Sequence, residues 1–221
     1  MEQPCRTLSR SGRSHDVFSQ SRDAVVLHSL IASLCVLFED LRIEIAGQAA
    51  TELRELDACG KTLRRLYFLR RSTATLHEFS TVLRELDRLP EFESIRSQFN
   101  RVAHVHWSRA VSYFQGKDEA IARLRHNVGG HFRRQGAKLA LSGLNCDSVG
   151  TLEIDFYSNG AGAKHLFVGE LLAVGMLRHV KGRTTAERSR RLVREVVVAY
   201  RKAAWAVDAI AATYLWDRFG K

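Results

Sequence analysis

The stretch Asp23–Gly47, DAVVLHSLIASLCVLFEDLRIEIAG, decides the fold class. Its apolar residues recur as Leu27, Leu30, Ile31, Leu34, Phe38, Leu41 and Ile45, a three-and-four spacing that lines one stripe of an α-helix and not the alternate faces of a strand. The spacing predicts a helix from Ser21 or Asp23 to near Gly47. His28, Glu39, Asp40, Arg42 and Glu44 interrupt the run, so it is far from the roughly 20 consecutive apolar residues of a membrane span. A soluble, cytoplasmic protein with no membrane contact is the expectation.

Working outward, a second helical region begins at Thr51 and carries Leu53, Leu56, Leu63, Leu66, Leu69, Leu76, Phe79, Leu83 and Leu86 as one helix, or as two broken at Gly60. Leu89 and Pro90 punctuate the chain, because proline disfavours α geometry in the residue before it and suits a first helical turn. A third long helix is expected from Glu91 to Gln115, with Phe92, Ile95, Phe99, Val102, His106, Ala110 and Tyr113 or Phe114 inward and Gly116 after its end. Asp118 would cap a further helix through Ile121, Leu124 and Val128, which meets Gly129 and Gly130 and resumes toward Leu141. Between Gly150 and Gly169 the period changes to two, and Leu152, Ile154 and Phe156 with a turn at Asn159 and Gly160 predict a β-hairpin at about 151–168. A short helix over Glu170–His179 follows. The last helix opens with Thr184 and Glu187 in capping-box spacing and runs toward Phe219 on Leu192, Val196, Tyr200, Ala203, Val207, Ile210 and Tyr214.

The fold class expected is therefore mainly α, a bundle of four to six long helices with a β-hairpin before the last two. With 221 residues, 45% of them hydrophobic, one main domain over 22–221 suffices to build a core. Residues 1–21 are rich in Arg and Ser and read as a basic disordered tail, with an organellar targeting peptide as the alternative. Only two prolines occur, which fits long helices. Cys5, Cys35, Cys59 and Cys146 lie far apart without a CxxC pair, so neither a zinc site nor a disulfide framework is expected. No P-loop, dinucleotide glycine fingerprint or nucleophile elbow occurs, and no Glu is followed three residues later by His, which argues against NTPase, oxidoreductase, serine-hydrolase and dimetal-bundle readings. No cofactor is expected.

The net charge of +10 and an isoelectric point near 9.9 favour a polyanionic partner, RNA or an acidic protein. The 34 basic residues comprise 27 Arg and 7 Lys, and Arg is the better bidentate ligand for phosphate. Arg64, Arg65, Arg70 and Arg71 flank Tyr67 and Phe68, an arrangement that either tracks a phosphate backbone with stacked bases or places core aromatics between flanking arginines. His104 and His106, two apart on a helix, point away from each other and share no metal. Trp107, Trp205 and Trp216 fall where packing or an interface explains them.

The most distinctive local sequence runs from Arg123 to Phe132, RLRHNVGGHF. Histidine is the side chain suited to exchange the 2′-hydroxyl and leaving-group protons of RNA transesterification near neutral pH, and a guanidinium supplies directional donors to the phosphate oxygens. His131 is the candidate for the first task and Arg125 for the second, with Asn127 orienting the imidazole or the substrate. Arg123, His126, Arg133 and Arg134 are candidate RNA contacts. On an unbroken helix Asn127 and His131 share a face, whereas Arg125 and His131 diverge by roughly 120°. Their convergence needs a break at Gly129 and Gly130, or a second subunit across a twofold axis.

Arg125-His-Asn-Val-Gly-Gly-His131 resembles the motif of an Arg, four to six residues and a His that marks the HEPN superfamily of helical-bundle ribonucleases and nucleotide-binding proteins. The resemblance implies metal-independent RNA cleavage, two motifs paired across a homodimer of four- or five-helix bundles, and a polar helper soon after the Arg, for which His126 stands in the usual place and Asn127 one residue later. It also implies a setting in bacterial defence or toxin–antitoxin pairs, with a neutralising protein partner. The segments Tyr67–Leu76 and Tyr214–Gly220 look like parts of bacterial helical proteins and imply no activity. The hairpin and the long last helix exceed a minimal bundle of that superfamily and stand as a cover or extension of the site. The alternative function is a non-catalytic RNA- or protein-binding helical module; in a purely structural one the motif has no role.

Overall fold

The computed structural model describes residues 22–49, 58–125, 141–142, 152–157, 160–165, 174–178 and 180–215. Most of these are helical. Helix α1 is Arg22–Ala49, α2 is Ala58–Arg88, α3 is Glu93–Arg96, α4 is Arg101–Leu124 and α5 is Thr185–Ile210, continued by a π-helical segment Ala211–Leu215. Strands β1, Leu152–Tyr157, and β2, Gly160–His165, pair antiparallel from Leu152↔His165 to Tyr157↔Gly160. The return strand thus begins at Gly160 itself. Among the described residues no helix is long and apolar enough to cross a membrane.

The chain divides into two units, and the division falls inside α1, α2, α4 and α5. The first unit takes Met1–Phe38, Phe79–Gln115 and Arg201–Lys221; the second takes Glu39–Glu78 and Gly116–Tyr200.

The first unit is built on aromatic packing. Leu27, Ile31 and Leu34 of α1 and Phe79, Leu83 and Leu86 of α2 are buried, as their spacing requires. Phe92 and Phe99 close on the indole of Trp107, with ring centroids 4.7 and 5.9 Å away, and Phe79 meets Phe114 at 5.5 Å. Such rings contribute about 0.5–1.5 kcal/mol per pair beyond the area they bury. The indole N–H of Trp107 donates to Asp87 Oδ1 at 2.8 Å, which satisfies the one polar atom of a residue only 2% exposed. From α5, Ala203, Ala206, Ala209 and Ile210 are buried, and the three alanines are small enough to permit close approach of a neighbouring helix. Tyr214, in the π-helical segment, shares a buried hydrogen bond of 2.5 Å with His28 Nε2.

The chain between α2 and α4 differs from the expected continuous helix. Leu89 is extended, at φ −72° and ψ 121°, as the residue before a proline must be, and Pro90–Phe92 forms a 3-10 turn leading into α3. Asn100 then starts a new helix: its Oδ1 accepts the N–H of Ala103 at 2.9 Å and its carbonyl accepts from His104 at 3.0 Å. With the helix beginning there, Val102 in its first turn lies outward, 61% exposed, contrary to its expected burial. Gly116 and Asp118 are interior to α4 and not its end and a cap. Gly60 likewise lies inside α2, and α1 continues past Gly47 to Ala49.

In the second unit Leu41, Leu69, Leu76, Ile121, Met176, Leu177, Leu192 and Val196 are buried. Gly47 approaches Phe68 so closely that a Cβ would stand 2.6 Å from the ring. At the start of α5 the N–H of Glu187 donates to Thr184 Oγ1 at 3.1 Å, and Glu187 Oε2 accepts from the N–H of Arg183 at 2.9 Å. This is the predicted reciprocal cap, with the carboxylate reaching one residue further back. Lys117 of α4 and Glu195 of α5 form an exposed ion pair at 3.3 Å, worth at most about 1 kcal/mol.

Candidate functional site

Helix α4 carries the start of the Arg/His motif. Ile121 is buried, and Arg125, one turn later on the same face, is half-buried where the backbone turns π-helical. Such local widening often accompanies a functional position. Among the described residues no carboxylate is within ion-pair distance of the Arg125 guanidinium. Arg123 contributes helical backbone to α4. His126, Asn127, His131, Arg133 and Arg134 lie outside the described residues, as do Gly129 and Gly130.

The second unit holds a buried carboxyl that composition does not reveal. Glu44 projects from α1 into the interior, 6% exposed, against the run Ser72, Thr73 and Thr75 of α2, which is buried as well. Thr75 donates its hydroxyl to Glu44 Oε1 at 2.9 Å, and Arg71 Nε stands 3.6 Å from the same oxygen. Gln48 donates to Ser72 Oγ at 3.0 Å, and Ser72 donates onward to the carbonyl of Phe68 at 2.9 Å. Glu44 Oε2 has no hydrogen-bond partner among the described residues. Burial pushes this carboxyl above its ordinary range, against the opposing pull of the Thr75 hydroxyl and the Arg71 guanidinium. The sequence signal was present in part: a Glu one turn after Asp40 on the buried stripe of α1, facing a helix that turns from arginines to small hydroxyls at Ser72.

Arg64, Arg65, Arg70 and Arg71 of α2 do not form one uniform strip. Arg71 is engaged with Glu44, whereas the guanidinium of Arg70 stands over the Tyr67 ring, 5.7 Å from its centroid. Tyr67 is 49% exposed, which corrects the core placement that the aromatic pair suggested. Phe68 is the packed member, meeting Tyr67 edge to face at 5.3 Å. Arg65 is exposed.

The tryptophans separate in the same manner. Trp107 is core, as expected. Trp205 is half-exposed and lies parallel to the His106 imidazole, with centroids 5.0 Å apart and planes 9° from coplanar. His104 is exposed, its ring meeting Phe99 at 5.6 Å. Among the described residues no three His, Cys, Asp or Glu side chains gather as metal ligands. Trp216 lies outside the described residues. Set against protein-family models, curated proteins and solved structures, the chain matches none of them.

Proposed function

We propose that the chain is a HEPN-like, metal-independent endoribonuclease acting as a cytoplasmic homodimer. In this reading the 2′-oxygen attacks the adjacent phosphorus and the 5′-oxygen leaves. His131 moves the proton taken from the 2′-hydroxyl or given to the leaving oxygen. Arg125 holds the non-bridging oxygens as negative charge builds on them, and Asn127 orients imidazole or substrate. Arg123, His126, Arg133 and Arg134 hold neighbouring phosphates, and the β1–β2 hairpin extends the site. A neutralising protein partner would cover the same basic surface.

The observation that carries the proposal is Arg125 itself. A half-buried guanidinium at a π-turn, with no carboxylate beside it among the described residues, is available to a phosphate. The net charge of +10 supplies the long-range attraction. The test is cleavage of a mixed single-stranded and structured RNA pool in EDTA by wild type and by His131→Ala of equal helical content. Cleavage by wild type alone supports the reading; equal cleavage by both, or none by either, counts against it.

A second reading, a non-catalytic RNA-binding module, is favoured by one separate observation: Tyr67 is exposed with the Arg70 guanidinium over its ring, the arrangement of a stacking contact flanked by charge. Salt-steep RNA affinity without cleavage would support it.

A further inference from the structure

The first unit contains a second concentration of cationic and aromatic groups, outside the Arg/His motif. On α4, His106 and Arg109 are three residues apart; on α5, Lys202 and Trp205 are likewise three apart. Each pair therefore lies on one side of its helix. The Trp205 indole stacks on His106, and Lys202 Nζ stands 3.7 Å from the centre of the indole. Desolvation lowers the Lys202 pKa, and the neighbouring Arg109 charge lowers it further. Among the described residues neither Arg109 nor Lys202 has a carboxylate within ion-pair distance. Asp208 feels the charge of His106, and its own carboxyl is held above the usual range by desolvation, against the pull of that imidazole.

Like charges gathered without counter-ions repel one another, and an aromatic platform that remains half-exposed forgoes part of the hydrophobic gain of burial. Both costs are relieved by a ligand that is anionic and flat. A phosphate seated between Arg109 and Lys202 neutralises the pair, and a base continuing the His106–Trp205 stack covers its exposed surface. An acidic peptide would satisfy the charge alone and leave the stack uncovered. We infer that His106, Arg109, Lys202 and Trp205 form a non-catalytic contact for single-stranded RNA, holding one phosphate and one base. The inference takes its polymer from the RNA reading above but does not depend on cleavage.

The experiment uses the full chain and a fluorescein-labelled single-stranded 2′-O-methyl RNA of about twelve nucleotides, which cannot undergo 2′-hydroxyl attack. Affinity is measured across a salt series for wild type, Arg109→Gln, Lys202→Gln and Trp205→Phe, each checked for unchanged helical content. Removing one phosphate contact from a single strand lowers the slope of log affinity against log salt by about 0.7, so Arg109→Gln and Lys202→Gln should each show a shallower slope and weaker binding. Trp205→Phe should weaken binding roughly tenfold at unchanged slope, the scale of one lost base stack. It should also remove most of the RNA-induced quenching of tryptophan fluorescence, a readout that a merely structural role would not move. Binding at wild-type strength and slope in all three variants overturns the contact. So does competition by polyglutamate as effective as that by unlabelled RNA of equal charge. Absence of cleavage of unmodified RNA by the wild type, with these binding effects intact, would sink the ribonuclease reading while leaving this contact in place.

Discussion

Thr75 donates its hydroxyl to Glu44 across 2.9 Å of buried space, and the second carboxylate oxygen has no hydrogen-bond partner among the described residues. One hydroxyl and a guanidinium at 3.6 Å do not offset the loss of water, so burial raises the carboxyl above its ordinary value of 4.5. The folded chain then holds this proton more tightly than the unfolded chain. Stability from this group is complete below the unfolded pKa and is lost as the pH rises through the raised folded value.

Glu44→Gln follows from that sign. Glutamine keeps an oxygen for the Thr75 hydroxyl and carries no charge to desolvate. Urea unfolding at about pH 5 and about pH 8 should show the wild type losing more stability over this interval than the variant does. Equal losses in the two proteins would remove Glu44 from the account.

Trp107→Phe tests the aromatic core of the first unit. The change retains an aromatic ring near Phe92 and Phe99 but deletes the N–H that donates to Asp87 at 2.8 Å. Asp87 keeps Arg96, whose Nη1 is 3.6 Å away, so its charge is not abandoned. A loss of about 1–3 kcal/mol in equilibrium unfolding is expected. With Asp87→Asn in the background the loss should shrink, because the acceptor no longer carries a full charge.

Arg125→Lys separates charge from geometry at the proposed catalytic position. Lysine preserves the positive charge but not the two-pronged donation of a guanidinium to phosphate. RNA cleavage should fall by about a hundredfold or more, while unfolding stability changes by no more than about 0.5 kcal/mol. Unchanged cleavage would show that the phosphate is held elsewhere.

The legible and illegible parts of this chain have different physical origins. The stripe of α1 could be read because each of its turns repeats the same demand, and Leu27, Ile31, Leu34 and Leu41 are all buried. The start of α4 was misjudged because Phe92, Ile95 and Phe99 continue a helical period through a break, and hydrophobic period alone cannot register a new helix beginning. Asn100, a favoured N-cap residue, was the available signal. The stack of His106 on Trp205 joins two helices far apart in sequence, so no local pattern announces it. Arg125 was singled out from its motif, and the structure adds its burial and its π-helical backbone. The expected partners Asn127 and His131 lie outside the described residues.

Two glycines inside helices should respond to alanine with opposite signs. In a helix interior alanine is favoured over glycine by about 1 kcal/mol, chiefly because glycine loses more backbone freedom on folding. At Gly116 nothing stands within 4 Å of a new Cβ, so Gly116→Ala should raise the stability by roughly this amount. At Gly47 the new Cβ would meet three atoms of the Phe68 ring at 2.6, 2.7 and 2.8 Å, inside van der Waals contact. Phe68 is half-buried and packed edge to face on Tyr67, so moving its ring disturbs a second residue. Overpacking of this kind costs about 1–3 kcal/mol, which exceeds the helical gain, and Gly47→Ala should destabilise. Phe68→Leu should recover part of that loss in the double variant, by giving the methyl group space. A Gly47→Ala protein as stable as Gly116→Ala would mean that the ring moves aside freely and that the close approach of α1 to α2 at this point is not fixed by the glycine.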